Sequence, residues 1–132
     1  MIYCFDLDGT ITTCSGFGAS DKKIPHWAIA MVLFFYKPKI NKKIVDFMYL
    51  VKKNNDKNII ITRRDRKLKK ITLDFLEQRK IPYDRILFIG NKNNSIKRKG
   101  RIIVKINPNI YFDNNPKIIE EVRKNGIPAI LV

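Results

Sequence analysis

Residues 1–10, Met1-Ile2-Tyr3-Cys4-Phe5-Asp6-Leu7-Asp8-Gly9-Thr10, decide how the rest of the chain is read. Ile2 to Phe5 is an apolar run that ends in a turn signal, the pattern of a short buried strand. Asp6 and Asp8 leave its C-terminal end, and Gly9 permits a sharp turn with close approach of backbone to a ligand. In an open parallel sheet that edge is where ligands bind. Two carboxylates there need a counter-charge, which a hard cation such as Mg2+ supplies. A strand followed by a plain Asp-Gly turn is the simpler reading of the same residues.

Further strands are read in Asn58–Thr62, Arg85–Ile89, Ile110–Asp113 and Ala129–Val132, apolar and rich in β-branched residues. Helices are expected over His26–Tyr36, from Asn41 to about Asn54, over Arg66–Arg79 and from Pro116 through Lys124. In the third of these, Leu68, Ile71, Leu73, Phe75 and Leu76 are the candidates for burial. Trp27–Tyr36 is apolar nearly all round and should be covered on more than one side, by the fold or by a second copy in a homodimer. Asn91 to Arg101 reads as a polar, basic segment, with a short strand or helical turn over Ile102–Ile106. Strands alternating with helices at this spacing imply a parallel sheet between helical layers, an α/β sandwich.

The chain has 132 residues, enough for one domain with a real core but too few for two. Cys4 and Cys14 lack metal-site or thioredoxin spacing and suit a reducing compartment. The N-terminus enters a strand without a basic leader, and Trp27–Tyr36 is far shorter than the roughly 20 residues a membrane span needs. A cytoplasmic location without membrane association is the expectation. The 27 Lys and Arg against 12 Asp and Glu give a net charge of +15, which favours phosphate-rich partners, nucleic acid above all. A general bias toward Lys, Asn and Ile is the competing origin of that charge.

Asp6-x-Asp8-Gly9-Thr10 resembles the first motif of the haloacid dehalogenase (HAD) superfamily, and the resemblance extends over nearly the whole chain. It implies a three-layer, Rossmann-like parallel sheet of about five strands in the order 5-4-1-2-3. It also implies a Mg2+-dependent phosphatase working through an aspartyl-phosphate. On this resemblance Asp6 is the nucleophile and Asp8 the general acid/base, whose backbone carbonyl ligates the metal. Thr62 hydrogen-bonds the phosphoryl group. Asp113, in Asp113-Asn114-Asn115-Pro116, is a direct Mg2+ ligand beside Asp6 and Asp8. Asn114 stands where such members commonly carry a second Asp, so one negative charge is missing. For the motif lysine, Lys92, Lys97, Lys99 and Lys105 lie in the right interval, and Lys99, before Gly100 and fourteen residues ahead of Asp113, fits best. Gly9, Thr10, Arg63, Lys99 and Asn114 complete the expected phosphate contacts.

Between Thr10 and the second strand lies only a short helical insertion, about residues 15–55, in place of a full cap domain. An open site of that kind suits a large substrate: a phosphorylated small molecule, a nucleotide or a nucleic-acid end. Arg64 and Lys97 are expected on its basic rim, with Phe17, His26 and Trp27 as the aromatic candidates nearby. The competing reading is a catalytically weak fold of the same type that binds nucleic acid through its basic surface.

Overall fold

The computed structural model describes residues 1–13, 25, 27–28, 31 and 38–132. Expectations for Cys14, Phe17 and His26, and for most of the apolar stretch from Trp27 to Tyr36, lie outside these residues.

The described elements run β1 (Ile2–Phe5), α1 (Lys42–Lys53), β2 (Lys57–Thr62), α2 (Lys69–Gln78), β3 (Arg85–Phe88), α3 (Ser95–Ile106), β4 (Ile110–Asp113), α4 (Pro116–Lys124) and β5 (Ala129–Leu131). A 3-10 turn, Arg66–Leu68, leads into α2, and Asp65 caps it by accepting from the Lys67 amide at 2.9 Å. All strand pairs are parallel and the order is β3-β2-β1-β4-β5, the predicted order read from the other edge.

Side chains alternate along each strand, which divides the core in two. Phe5, Ile60 and Phe112 face α1 and α2, among Met48, Phe75 and Leu76. Cys4, Ile61 and Tyr111 face α3 and α4, among Ile103, Ile118 and Val122. The Phe5 and Phe112 rings stack at 4.9 Å between adjacent strands, a contact worth about 1 kcal/mol beyond the buried area. These two layers on one sheet are the expected α/β/α sandwich.

Three expectations are corrected. Ser95–Ile106 is a continuous helix, not a polar segment with a short turn at its end. In α2 the buried residues are Thr72, Phe75 and Leu76, following Leu68 in the turn before it, while Ile71 and Leu73 are half-buried. Trp27 and Met31 are 68% and 50% exposed, against the burial expected for their stretch, and nothing among the described residues supports a homodimer through it. Among the described residues no helix is long and apolar enough to cross a membrane.

Candidate functional site

Parallel pairing brings the ends of β1, β2 and β4 to one edge, because Phe5 pairs with both Ile60 and Phe112. The Asp6 amide then donates to the Phe112 carbonyl at 2.8 Å, so the residue after β1 stays tied to β4. The strand period decides which way each polar side chain turns. Asp6 shares the parity of Cys4, and Asp113 that of Tyr111, so both are aimed at α3. Thr62 shares the parity of Ile60 and faces α2.

On the α3 side, Lys99 is the partner. Its Nζ donates to Asp6 Oδ1 at 2.5 Å and to Asp113 Oδ2 at 2.9 Å, and the side chain is only 1% exposed. Lys92, Lys97 and Lys105, the other candidates, are exposed. Asp113 is further held by the Tyr111 hydroxyl on Oδ2 and by the Asn115 amide on Oδ1 at 2.8 Å. Asp6 Oδ2 makes no hydrogen bond among the described residues.

Burial is the largest influence on Asp6. Opposed by Lys99 and reinforced by Asp113 and Asp8, it pushes the carboxyl up to about 7. Burial alone would lower Lys99, but the Asp6 and Asp113 carboxylates outweigh it and the ammonium is held above its usual range. Burial, then the Asp113 and Asp6 charges, drives the Tyr111 phenol well upward, so it acts as a donor.

On the α2 side, Arg64 is buried rather than placed on the rim. Its Nε and Nη2 donate to Asp8 Oδ2 and Oδ1 at 2.8 and 2.5 Å, and Nη1 donates to Thr72 Oγ1 at 3.1 Å. Its own amide donates to Thr62 Oγ1 at 3.2 Å, which joins Thr62 to the same cluster. A planar fork matches a carboxylate with two hydrogen bonds, and removal from water strengthens both. Asp8's carboxylate is therefore turned to Arg64 and not toward Asp6 and Asp113. Among the described residues no three acidic, His or Cys side chains surround one metal position.

The turn after β1 is closed by the Thr12 amide on the Leu7 carbonyl at 3.0 Å. Gly9 sits in it at φ +88°, and a Cβ there would fall on the Asn114 carboxamide, 3.0 Å from Oδ1 and closer still to the nitrogen. Glycine thus lets the first and last motifs touch. Thr10 Oγ1 is buried without a hydrogen-bond partner among the described residues. The Thr13 amide donates to the Lys39 carbonyl at 2.8 Å and the Asn41 amide to the Ile11 carbonyl at 2.7 Å, so the chain returns beside this turn before α1. Arg63 Nη2 reaches Asn91 Oδ1 at 2.7 Å, and Arg63 and Lys97 line one depression of about 500 Å³. Trp27 is joined to these residues by no hydrogen bond among the described residues.

Sequence reasoning missed Arg64 as a partner of Asp8, together with Thr72 and Tyr111. Tyr111 could have been found, because it precedes Asp113 by two and shares its face of the strand.

No protein-family model matches the chain, and no curated protein matches it. Solved structures do. A chain of the Pnkp1/Rnl/Hen1 RNA repair complex is similar with a TM-score of 0.75 at 18% identity, over 99% of this chain and 41% of that one. The HAD domain of effector protein Lem4 from Legionella pneumophila is similar at 0.60, with 20% identity over 99% of this chain and 84% of that one. A HAD-superfamily hydrolase from Ehrlichia chaffeensis is similar at 0.55, with 10% identity over 98% and 90%. The chain spans less than half the length of the RNA-repair chain it matches. Strand order, parallel pairing and these likenesses agree that the chain has the fold of the haloacid dehalogenase superfamily.

Proposed function

We infer that the protein is a Mg2+-dependent phosphomonoester hydrolase that works through an aspartyl-phosphate at Asp6. The observation that carries this reading is the arrangement of Asp6, Lys99 and Asp113: one carboxylate just after β1 and one ending β4 share a buried ammonium, and Asp6 Oδ2 makes no hydrogen bond among the described residues.

The residues fit a divalent ion. With all three carboxyls ionised, Asp6, Asp8 and Asp113 bring three negative charges against two positive ones on Lys99 and Arg64, a net negative charge that a divalent ion would offset. A carboxylate oxygen of Asp6, the Asp113 carboxylate and the Asp8 backbone carbonyl would supply oxygen ligands of the kind hard cations take. When bound, Mg2+ would supply charge neutralisation and orientation for in-line transfer.

Asp6 Oδ2 attacks phosphorus as the bond to the departing oxygen breaks, and Asp8, having taken up a proton from solvent and released one of its two Arg64 hydrogen bonds, passes that proton to the departing oxygen. Asp8 then accepts a proton from the water that cleaves the aspartyl-phosphate and returns Asp6 to its carboxylate. Lys99 offsets the charge of Asp6 and of the transferred group. Thr62, Arg63, Asn114 and the Gly9–Thr10 turn hold the phosphoryl oxygens, and Arg64 fixes the direction of the Asp8 carboxylate. An insertion over about residues 15–55 replaces a cap, which leaves room for a phosphorylated nucleotide or nucleic-acid end. The +15 charge and the likeness to a chain of an RNA repair complex support that substrate class. A cytoplasmic setting suits the free, buried Cys4 thiol.

The test is hydrolysis of p-nitrophenyl phosphate with Mg2+ or EDTA, for the wild type and Asp6→Asn. Turnover lost under both EDTA and the substitution is expected. Equal turnover in wild type and Asp6→Asn would remove the proposed nucleophile.

A further inference from the structure

Beyond the phosphate site, the surface continues into a groove that the proposed chemistry does not use. Three depressions share residues from one to the next. The first, of about 500 Å³, begins at Arg63, the residue after Thr62, and is lined by Lys92 and Lys97 among others. Lys92 also lines the second, of about 250 Å³, together with Arg66, Phe88 and Arg98. Arg66, Phe88 and Arg98 in turn line the third, of about 490 Å³, with Lys69 and Ile102.

The course of this groove follows from the topology. Among the described residues β3 is an edge strand, with no neighbouring strand on its outer side. Ile86 packs with the α1 and α2 layer, and Leu87 with the α3 and α4 layer. Both belong to the third depression, which therefore wraps the free edge. Arg66 and Lys69 form its wall on the α2 side, and Arg98 forms the wall on the α3 side.

Its chemistry is uneven in one direction. Among the described residues, Arg66, Lys69, Lys92, Lys97 and Arg98 make no ion pair and Asp65 is the only acidic residue lining any of the three depressions. From Arg85 to Phe112 the sequence contains no Asp or Glu. Of the acidic residues of α4, Glu121 packs against Gly100 of α3 and Glu120 pairs with Lys124, and neither lines any of the three depressions. The floor is apolar, with Ile86, Leu87, Phe88 and Ile102 half-buried.

Cations on two walls that make no ion pair among the described residues, over an apolar floor with one aromatic ring, match a single nucleic-acid strand. Its phosphates can meet the walls while unstacked bases lie on the floor. We propose that this groove along the β3 edge binds the body of a single-stranded polynucleotide whose terminal phosphate occupies the Asp6 site. The direction is specific: the strand leaves the site past Lys92 toward Arg66 and Arg98, and away from β5. The proposal deepens the phosphatase reading, and its binding arm stands without it.

The experiment compares wild type with the triple variant Arg66→Gln/Lys69→Gln/Arg98→Gln. All three side chains lie outside the residues assigned to phosphoryl transfer. Binding of fluorescent octanucleotides lacking terminal phosphates is measured by anisotropy across a salt series, with thermal unfolding as the folding control. The triple variant should bind at least tenfold more weakly and lose about 2 from the slope of log K against log salt, near 0.7 per phosphate contact for single strands. In the hydrolysis arm, kcat/KM should rise at least tenfold from a mononucleotide to a phosphorylated octanucleotide. That gain should vanish in the triple variant, with p-nitrophenyl phosphate turnover unchanged.

Unchanged octanucleotide binding by a folded triple variant would overturn the proposal. So would competition by an acidic peptide as effective as that of unlabelled octanucleotide, which would mark the β3 edge as a strand-docking site. Groove-dependent binding without any hydrolysis would support the groove and count against the phosphatase reading alone.

Discussion

Arg64 grips both carboxylate oxygens of Asp8, at 2.8 and 2.5 Å, from a position nearly sealed from solvent. A lone charge left there has no water to turn to, so removing one partner of such a pair costs about 3–5 kcal/mol. Arg64→Ala should therefore lower unfolding free energy by about that amount in urea titrations. Arg64→Lys retains the charge but cannot form the fork. It should fold and yet lose at least tenfold in kcat, because the direction of Asp8 is no longer fixed. A fully active Arg64→Lys would show that this alignment is not needed.

Lys99 is the only cation that touches both Asp6 and Asp113 among the described residues. Lys99→Met keeps much of the volume but leaves the two carboxylates facing each other. Loss of a charge aimed at the reacting group costs about 10²–10³ in kcat. Lys99→Met should show at least that loss, with stability more dependent on Mg2+ than in the wild type. Thermal unfolding with and without the ion reads the second effect, and an equal Mg2+ response in both proteins would contradict it.

Asp6 links stability to pH. Its carboxyl is raised to about 7 in the folded chain, so the folded state holds the proton more tightly than the unfolded state does. Stability from this group is full below the ordinary carboxylate range, near 3.9, and is lost as pH rises through about 7. Asp6→Asn carries no such titration. In EDTA the variant should come closest to the wild type below about pH 4, and its lead in unfolding temperature should widen steadily up to about pH 8. Parallel melting curves for the two proteins across that range would rule out a raised Asp6.

The strand ends were legible because their signal is local: apolar runs closing on Asp6, Thr62 and Asp113. α3 was not, for a physical reason. Its buried face is Ser95, Lys99, Gly100 and Ile103, so the side turned inward is mostly polar or small and hides the helical period. Gly100 is a poor helix former, yet a Cβ there would sit 3.0 Å from Glu121 Cγ on α4. Close packing of α3 on α4 takes that place, and Lys99 is carried to Asp6 by it. Arg64 reads as a rim residue in the sequence because an arginine within a basic run reads as solvated. Its inward turn depends on Thr72, in the next helix, which sequence spacing alone does not connect to it.

Gly9 and Asn114 make the last test. With φ at +88° and the Asn114 carboxamide where a Cβ would go, Gly9→Ala meets two obstacles. The backbone conformation alone costs a side-chain-bearing residue about 1–2 kcal/mol, and displacement of Asn114 adds to it. Gly9→Ala should thus be destabilised by more than 2 kcal/mol in urea titrations. Asn114→Asp leaves the packing nearly unchanged and adds the negative charge that the last motif lacks. Groups just outside a metal's ligands shift affinity by about 10–100-fold, so half-activation should need roughly tenfold less Mg2+. If the Mg2+ requirement of Asn114→Asp equals that of wild type, residue 114 does not act through the metal, and its contact with Gly9 serves packing alone.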